Sequence, residues 1–333
     1  MSKKERNDSR LSEKIYPYAV SKIRVKEMNL LTKHDLYSMA DEDIDRIKSV
    51  LIDKDYNFEI IDKIVDFEDV LKFESMKLYK LVKELLPETN FADLFLCKND
   101  YHNVKLILKA KISKKEYKNN LLDAGIIDLS KLEEYMEKEN YNIFSDYMQS
   151  GIKEILKYPE IEKNPYIIDC ILDAKCFEEM KEISLKTECE FIKQYINKMI
   201  NLININTFFR IYRTFNKDKK IFNVSYIDGG NISKNVFIES LGQDIQSSKL
   251  KYEISKQIFD EALYNYENFD KYCDNYIMDY MKEAKLKALT VEPIVAYIYA
   301  KETEIKNLRI ILTGKINNIN SNFIKERLRE SYV

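Results

Sequence analysis

Slid along itself, this chain meets its own pattern twice. The stretches NVKLILKAK from Asn103, NINTFFRIY from Asn204 and NLRIILTGK from Asn307 align without a gap, at intervals of 101 and 103 residues. Apolar residues fall together in all three: Val104 with Ile205 and Leu308, Ile107 with Phe208 and Ile311, Leu108 with Phe209 and Leu312. A second match lies upstream. Asp169, Asp173, Phe177 and Met180 stand 101 residues before Asp270, Asp274, Met278 and Met281, and the first copy has Glu68, Lys72, Met76 and Tyr79. These positions step by 4, 4 and 3, which puts them on one helix face. A third, weaker match places Gly125 before LSKLEEYM and Gly229-Gly230 before KNVFIESL, with MNLLTKHDLYSM as the first copy, which has no glycine. Repetition at a fixed period is the mark of a chain built from stacked supersecondary units. The expected units are 10–114, 115–217 and 218–333. Each is expected to run from a short lead-in helix through a middle helix to a long final helix bearing the asparagine.

The expected class is all-α. The 333 residues include only 6 glycines and 5 prolines, too few for the turns of a sheet-rich protein. Ile294, Tyr297, Ile298, Ile305, Leu308, Leu312 and Ile316 recur at helical spacing, with Lys301, Glu302, Lys306 and Lys315 outside the stripe. Val70, Phe73, Leu78, Leu81, Val82 and Leu85 do the same upstream. Thr290 or Glu292 before Pro293, and Asn164 before Pro165, read as helix starts. No segment alternates convincingly as a strand.

Several function classes lose their support. Lys and Arg number 54 against 56 Asp and Glu, so no strong field draws in nucleic acid. The five cysteines have no C-x-x-C spacing, which argues against a disulfide framework or zinc site and favours a reducing compartment. The charged start MSKKERNDSR does not read as a signal peptide. The best apolar run, Pro293 to Ala300, is too short to span a bilayer. His34 and His102 have no partners for a metal site or catalytic triad. No Gly-rich phosphate loop is present. The chain is therefore expected to have no catalytic, cofactor or metal site. The acid pairs Asp169/Asp173 and Asp270/Asp274 would serve a metal only if they converge in a cleft. NKDKK from Asn216 and the N-terminal SKKER read as solvated connectors. Arg24, Glu302, Glu304 and Arg309 lie close to the strongest helical patterns. They are the candidates for partner contact or for pinning the units together.

YPYAVSKIRVKEMNLLTKHDLYSMA from Tyr16 and EPIVAYIYAKETEIKNLRIILTGKINNINSNFIKERLRESYV from Glu292 resemble the ends of the C subunits of V-type, archaeal-type ATP synthases, which are related to the eukaryotic d subunit. DYHNVKLILKAK and NPYIIDCILDAKCFEEM fit the same family between them, so the resemblance runs nearly the whole chain. It implies a funnel of three helical domains related by pseudo-threefold symmetry. It implies a non-catalytic subunit, one copy per complex, peripheral on the cytoplasmic side of the membrane. Such a protein would receive the central shaft, made of the D and F subunits, and sit on the proteolipid ring. Proton or sodium as the carried ion, and synthase or pump as the direction, stay open. The rival reading is a helical-repeat adaptor of another assembly, which would be an open solenoid whose units touch only their neighbours.

Overall fold

The computed structural model describes residues 16–58, 66–86, 90–114, 116–157, 165–187, 189–215 and 217–333. Helix α1 covers 16–27. It is followed by α2 (Lys33–Asp41), α3 (Ile44–Asp53), α4 (Phe67–Leu85), α5 (Asn90–Ser113), α6 (Leu129–Glu137), α7 (Asp146–Leu156) and α8 (Tyr166–Lys186). Then come α9 (Glu190–Thr214), α10 (Lys219–Ser225), α11 (Lys234–Leu241), α12 (Leu250–Glu253), α13 (Lys256–Tyr264), α14 (Phe269–Lys282), α15 (Glu292–Ile316) and α16 (Ser321–Arg327). No strand occurs among the described residues, so the fold is all-α. Asn103, Asn204 and Asn307 fall on the long helices α5, α9 and α15.

Five of the short helices begin where the sequence supplies a side-chain acceptor. Thr32, Asp43, Asp128, Ser145 and Ser255 each accept the N–H three residues on, at the starts of α2, α3, α6, α7 and α13. Each such cap stabilises its helix by about 1 kcal/mol. At Thr32 the bond is reciprocated, because Asp35 accepts the Thr32 N–H at 2.9 Å. The start of α15 falls at one of the two expected positions, with Pro293 in its first turn. Its first residue is Glu292, its N-cap is Val291, and no side chain caps it. Proline in the first turn needs no N–H partner, which compensates in part. Asn164, SKKER and Asn216 lie outside the described residues.

The chain packs as two compact units. One comprises Met1–Glu88 with Lys271–Val333, the other Thr89–Asp270. In the first, α2, α3 and α4 share one core with α15 and α16. Leu36, Met39, Ile47, Leu51, Val70 and Leu71 meet Leu308, Ile311, Leu312 and Ile324. Residues some 250 positions apart in sequence thus bury a common surface. In the second, α8 packs against α5, α7, α9 and α10. Phe208, Phe222 and Phe237 pack within 5.3–6.2 Å of one another, ring centre to ring centre.

Burial corrects the stripe expected on α15. Every residue from Pro293 to Lys301 is buried, so the first half is apolar all round and Lys301 is inside instead of on the outer face. On α4, Phe73 leaves the core and is 40 % exposed.

The cysteines divide by depth. Cys97, Cys170 and Cys176 are buried, while Cys189 and Cys273 reach the surface in part. Burial pushes the Cys170 thiol up to about 12. That lowers its thiolate fraction at pH 8 on the order of a thousandfold below an ordinary cysteine's. Alkylation of the native chain at pH 8, followed by peptide mass spectrometry, is expected to modify Cys189 and Cys273 well before Cys170. Equal rates at all five would contradict the packing.

Candidate functional site

The three repeated asparagines do the same job. Asn103 Nδ2 donates to the Leu122 carbonyl at 2.8 Å, and the Leu122 N–H donates to Asn103 Oδ1 at 2.9 Å. Asn204 and Ile227 exchange the same two bonds at 2.8 and 2.9 Å. Asn307 and Arg329 do so at 3.1 and 2.8 Å. An asparagine amide offers the donor and acceptor of a peptide group in a fixed plane. Here it takes the place of a neighbouring backbone for a loop that has none.

One helical turn earlier, each long helix carries a second acceptor. Asp100 accepts the Ile126 N–H at 2.9 Å, Asn201 the Asn231 N–H at 2.8 Å, and Glu304 the Leu31 N–H at 2.5 Å. The first two copies hold a single continuous loop, the one leading into α6 or α11. The third holds two segments from opposite ends of the sequence: Arg329 through Asn307, and Leu31 through Glu304.

The glycines follow from these acceptors. A Cβ on Gly125 would fall 1.8 Å from Asp100 Oδ1, and one on Gly230 2.4 Å from Asn201 Oδ1. Short side chains reach the loop only if its backbone comes very close. The third acceptor is glutamate, one methylene longer, and the segment it holds, around Leu31, contains no glycine.

Glu304 does more than clamp. Tyr56 Oη donates to its Oε1 at 2.6 Å, and Lys301 Nζ donates to the same oxygen at 2.8 Å. Lys301 Nζ also donates to Tyr56 Oη at 3.0 Å, lies 4.1 Å from the centre of that ring, and stands 3.6 Å from Glu74. Lys77 reaches Glu74 at 3.4 Å from the surface. Glu74, Lys301, Glu304 and Tyr56 are all buried, at 3–8 % exposure. Burial, reinforced by the Glu304 carboxylate, raises the Tyr56 phenol well above its ordinary value and keeps it a donor. Such a network holds only while every member is paired.

The other candidates are placed as follows. Arg24 Nη1 donates to Glu27 at 2.7 Å, while its Nη2 donates to the carbonyls of Ala284, Lys285 and Lys287 at 3.2, 2.8 and 2.8 Å. It thus ties α1 to the turn at the end of a short 3-10 helix (Glu283–Leu286). Glu302 accepts a hydrogen bond from Tyr79 Oη. Arg309 pairs with Glu68 at 2.8 Å, both about half exposed. Sequence reasoning found Glu304 and missed its partners Tyr56 and Lys301, and Glu74, which pairs with Lys301. Lys301 read as a residue of the outer polar face, and Tyr56 lies past the end of α3, in no helical pattern.

The acid pairs are met by cations and an amide. Asp173 pairs with Lys105 and Asp169 with Lys109, each at 2.6 Å. Asp270 accepts from Asn206 at 2.6 Å, and Asp274 is shared by Lys306 and Arg329 at 2.9 Å. Lys105, Asn206 and Arg309 occupy one register, two residues past the repeated asparagine. Among the described residues no group of three or more His, Cys, Asp or Glu could hold a metal. His34 is exposed and His102 partly buried, its imidazole less basic than usual because burial disfavours the charged ring.

Two substitutions measure these arrangements. Asn204→Ala leaves a buried N–H and C=O of Ile227 unpaired, at about 1–3 kcal/mol each. Denaturant titration is expected to show a loss of about 2–4 kcal/mol, and a loss under about 0.5 kcal/mol would mean the clamp is idle. Glu304→Ala leaves the buried Lys301 ammonium only the longer 3.6 Å contact with Glu74, removes the acceptor of the Leu31 N–H and the Tyr56 hydroxyl, and is expected to cost about 3–5 kcal/mol. Replacing Glu304 by alanine without measurable loss would show that the network contributes nothing.

The C subunit of the V-type sodium ATPase of Enterococcus hirae is 25% identical over 320 residues, covering 93% of this chain and 97% of its own. The C subunit of the A-type ATP synthase of Methanocaldococcus jannaschii is 22% identical, covering 94% and 86%. That of Methanococcoides burtonii is 24% identical, covering 94% of both chains. The model of the family described as "ATP synthase (C/AC39) subunit" matches residues 19–327. The chain, whose long helices each carry the same asparagine clamp, belongs to that family of ATP synthase C subunits.

Proposed function

We propose that this chain is the non-catalytic central-stalk subunit of a rotary V/A-type ATPase. It couples the turning shaft, made of the D and F subunits, to the proteolipid ring, one copy per complex, from the cytoplasmic side. The observation that carries this reading is the return of the last repeat to the first. Glu304 and Arg309 of the third repeat bond Leu31 and Glu68 of the first. An open solenoid leaves its terminal units apart, so the return favours a closed threefold arrangement over the adaptor alternative. The units 10–114, 115–217 and 218–333 are then three domains of a funnel. Loops at its narrower end are proposed to touch the ring, and the wider opening to hold the shaft.

A torque coupler has to resist deformation, and close-packed helices with a paired buried network such as that of Lys301 and Glu304 do so. The carboxylates that a metal-dependent enzyme would need already bond Lys105, Lys109, Asn206, Lys306 and Arg329. Among the described residues no helix is long and apolar enough to cross a membrane, which supports a peripheral position. Arg24 and Glu304 are proposed as internal pins, and Glu302 and Arg309 as the candidates for contact with a partner.

The test is purification of the tagged chain from its native membrane in mild detergent. Ring and shaft proteins are expected with it in stoichiometric amounts. Recovery of the chain alone, from membranes that still yield intact ATPase, would favour the adaptor. Arg309→Glu is expected to weaken that recovery without lowering the melting temperature by more than a few degrees, and full recovery would remove Arg309 from the contact surface.

A further inference from the structure

Beside the buried Lys301 network, the first compact unit holds a cleft of about 280 Å³ between α1, α3, α4 and α15. Six lysines line it: Lys22, Lys26, Lys54, Lys77, Lys80 and Lys301. Only three carboxylates do, Asp55, Glu74 and Glu84. The whole chain is nearly neutral, with a net charge of -2, so this local excess is not a consequence of composition.

The carboxylates are already engaged. Asp55 pairs with Lys77 at 2.9 Å, and Glu74 is shared by Lys77 and Lys301. Glu84 is 3.8 Å from Lys22, and Lys54 reaches only Asp35, outside the cleft, at 3.9 Å. Lys26 and Lys80 make no ion pair among the described residues. The excess acts on its surroundings: the Lys77 hydrogen bond, and then the charges of Lys77, Lys26 and Lys301, hold the Asp55 carboxyl below its ordinary value against the opposing effect of burial.

We infer that this cleft binds a small phosphoanion carrying at least two phosphate groups, held between the ammoniums of Lys26 and Lys80 with Lys22 beside them. The cleft's volume is near the lower end of small-molecule pockets, roughly 300 Å³. Lysine suits phosphate as a point charge with three rotatable donors. An anion would also relieve the mutual repulsion of the lysines around it. The inference does not depend on the rotary reading.

Isothermal titration of the full chain with inorganic pyrophosphate tests it, alongside ADP to separate the two sources of a diphosphate. Saturable binding of pyrophosphate is expected, weakening as salt is raised. ADP binding more tightly would assign a nucleotide's diphosphate tail, and ADP binding no more tightly would assign free pyrophosphate. The double variant Lys26→Gln, Lys80→Gln breaks no ion pair, so it is expected to melt as the native chain does and to bind at least tenfold more weakly. Lys220→Gln, in the second compact unit, is expected to change nothing. Absence of saturable binding to both ligands, or unchanged affinity in the double variant, would overturn the site.

Discussion

A loop that lies alongside a helix cannot borrow the helix's backbone, whose donors and acceptors are already used along the axis. Something else has to satisfy the loop's N–H and C=O groups. In this chain two side chains per long helix do so, three residues apart: Asp100 with Asn103, Asn201 with Asn204, and Glu304 with Asn307. Much else follows from this arrangement. Gly125 and Gly230 are there because the clamp passes where a Cβ would sit. The N-cap residue of α2 follows directly on the clamped Leu31, so the loop and the start of that helix are fixed together.

The third clamp differs from the other two in holding both ends of the chain. Leu31 and Arg329 meet α15 where continuous loops meet α5 and α9. The first compact unit is therefore discontinuous, and its core joins α2–α4 to α15 and α16. The same helix carries the buried charges. Lys301 and Glu304 are one turn apart, and Tyr56 and Glu74 come from the N-terminal side to complete the set. Buried ionic groups cost more to desolvate than hydrophobic neighbours would. Their value here is in fixing the register of α15 against α4, since a shift of one residue would leave charges unpaired.

Repetition, helical class and the asparagine register were legible because each leaves a periodic trace. Six glycines and five prolines argued against a sheet-rich fold. The clamped loops were not legible, because Leu122, Ile227 and Arg329 contribute backbone only and share no side chain. The stripe on α15 misled at Lys301. Period alone does not separate a helix buried on one side from one buried all round, and a lysine's long stem can lie in a core when its ammonium is paired. The acid pairs were visible as spacing, but their neutralisation depends on Lys105, Lys109, Lys306 and Arg329, which come from other parts of the chain.

Close-packed helices, with Lys301 and Glu304 paired in the core, fit a part that transmits force, and the family to which the chain belongs is that of ATP synthase C subunits. The most direct measurement is to strip the chain from membranes holding its intact complex, then assay ATP hydrolysis and ATP-driven ion uptake side by side. If it couples shaft to ring, hydrolysis persists without it, ion uptake is lost, and one equivalent of the purified chain per complex restores uptake. Undiminished ion uptake in its absence would contradict the account.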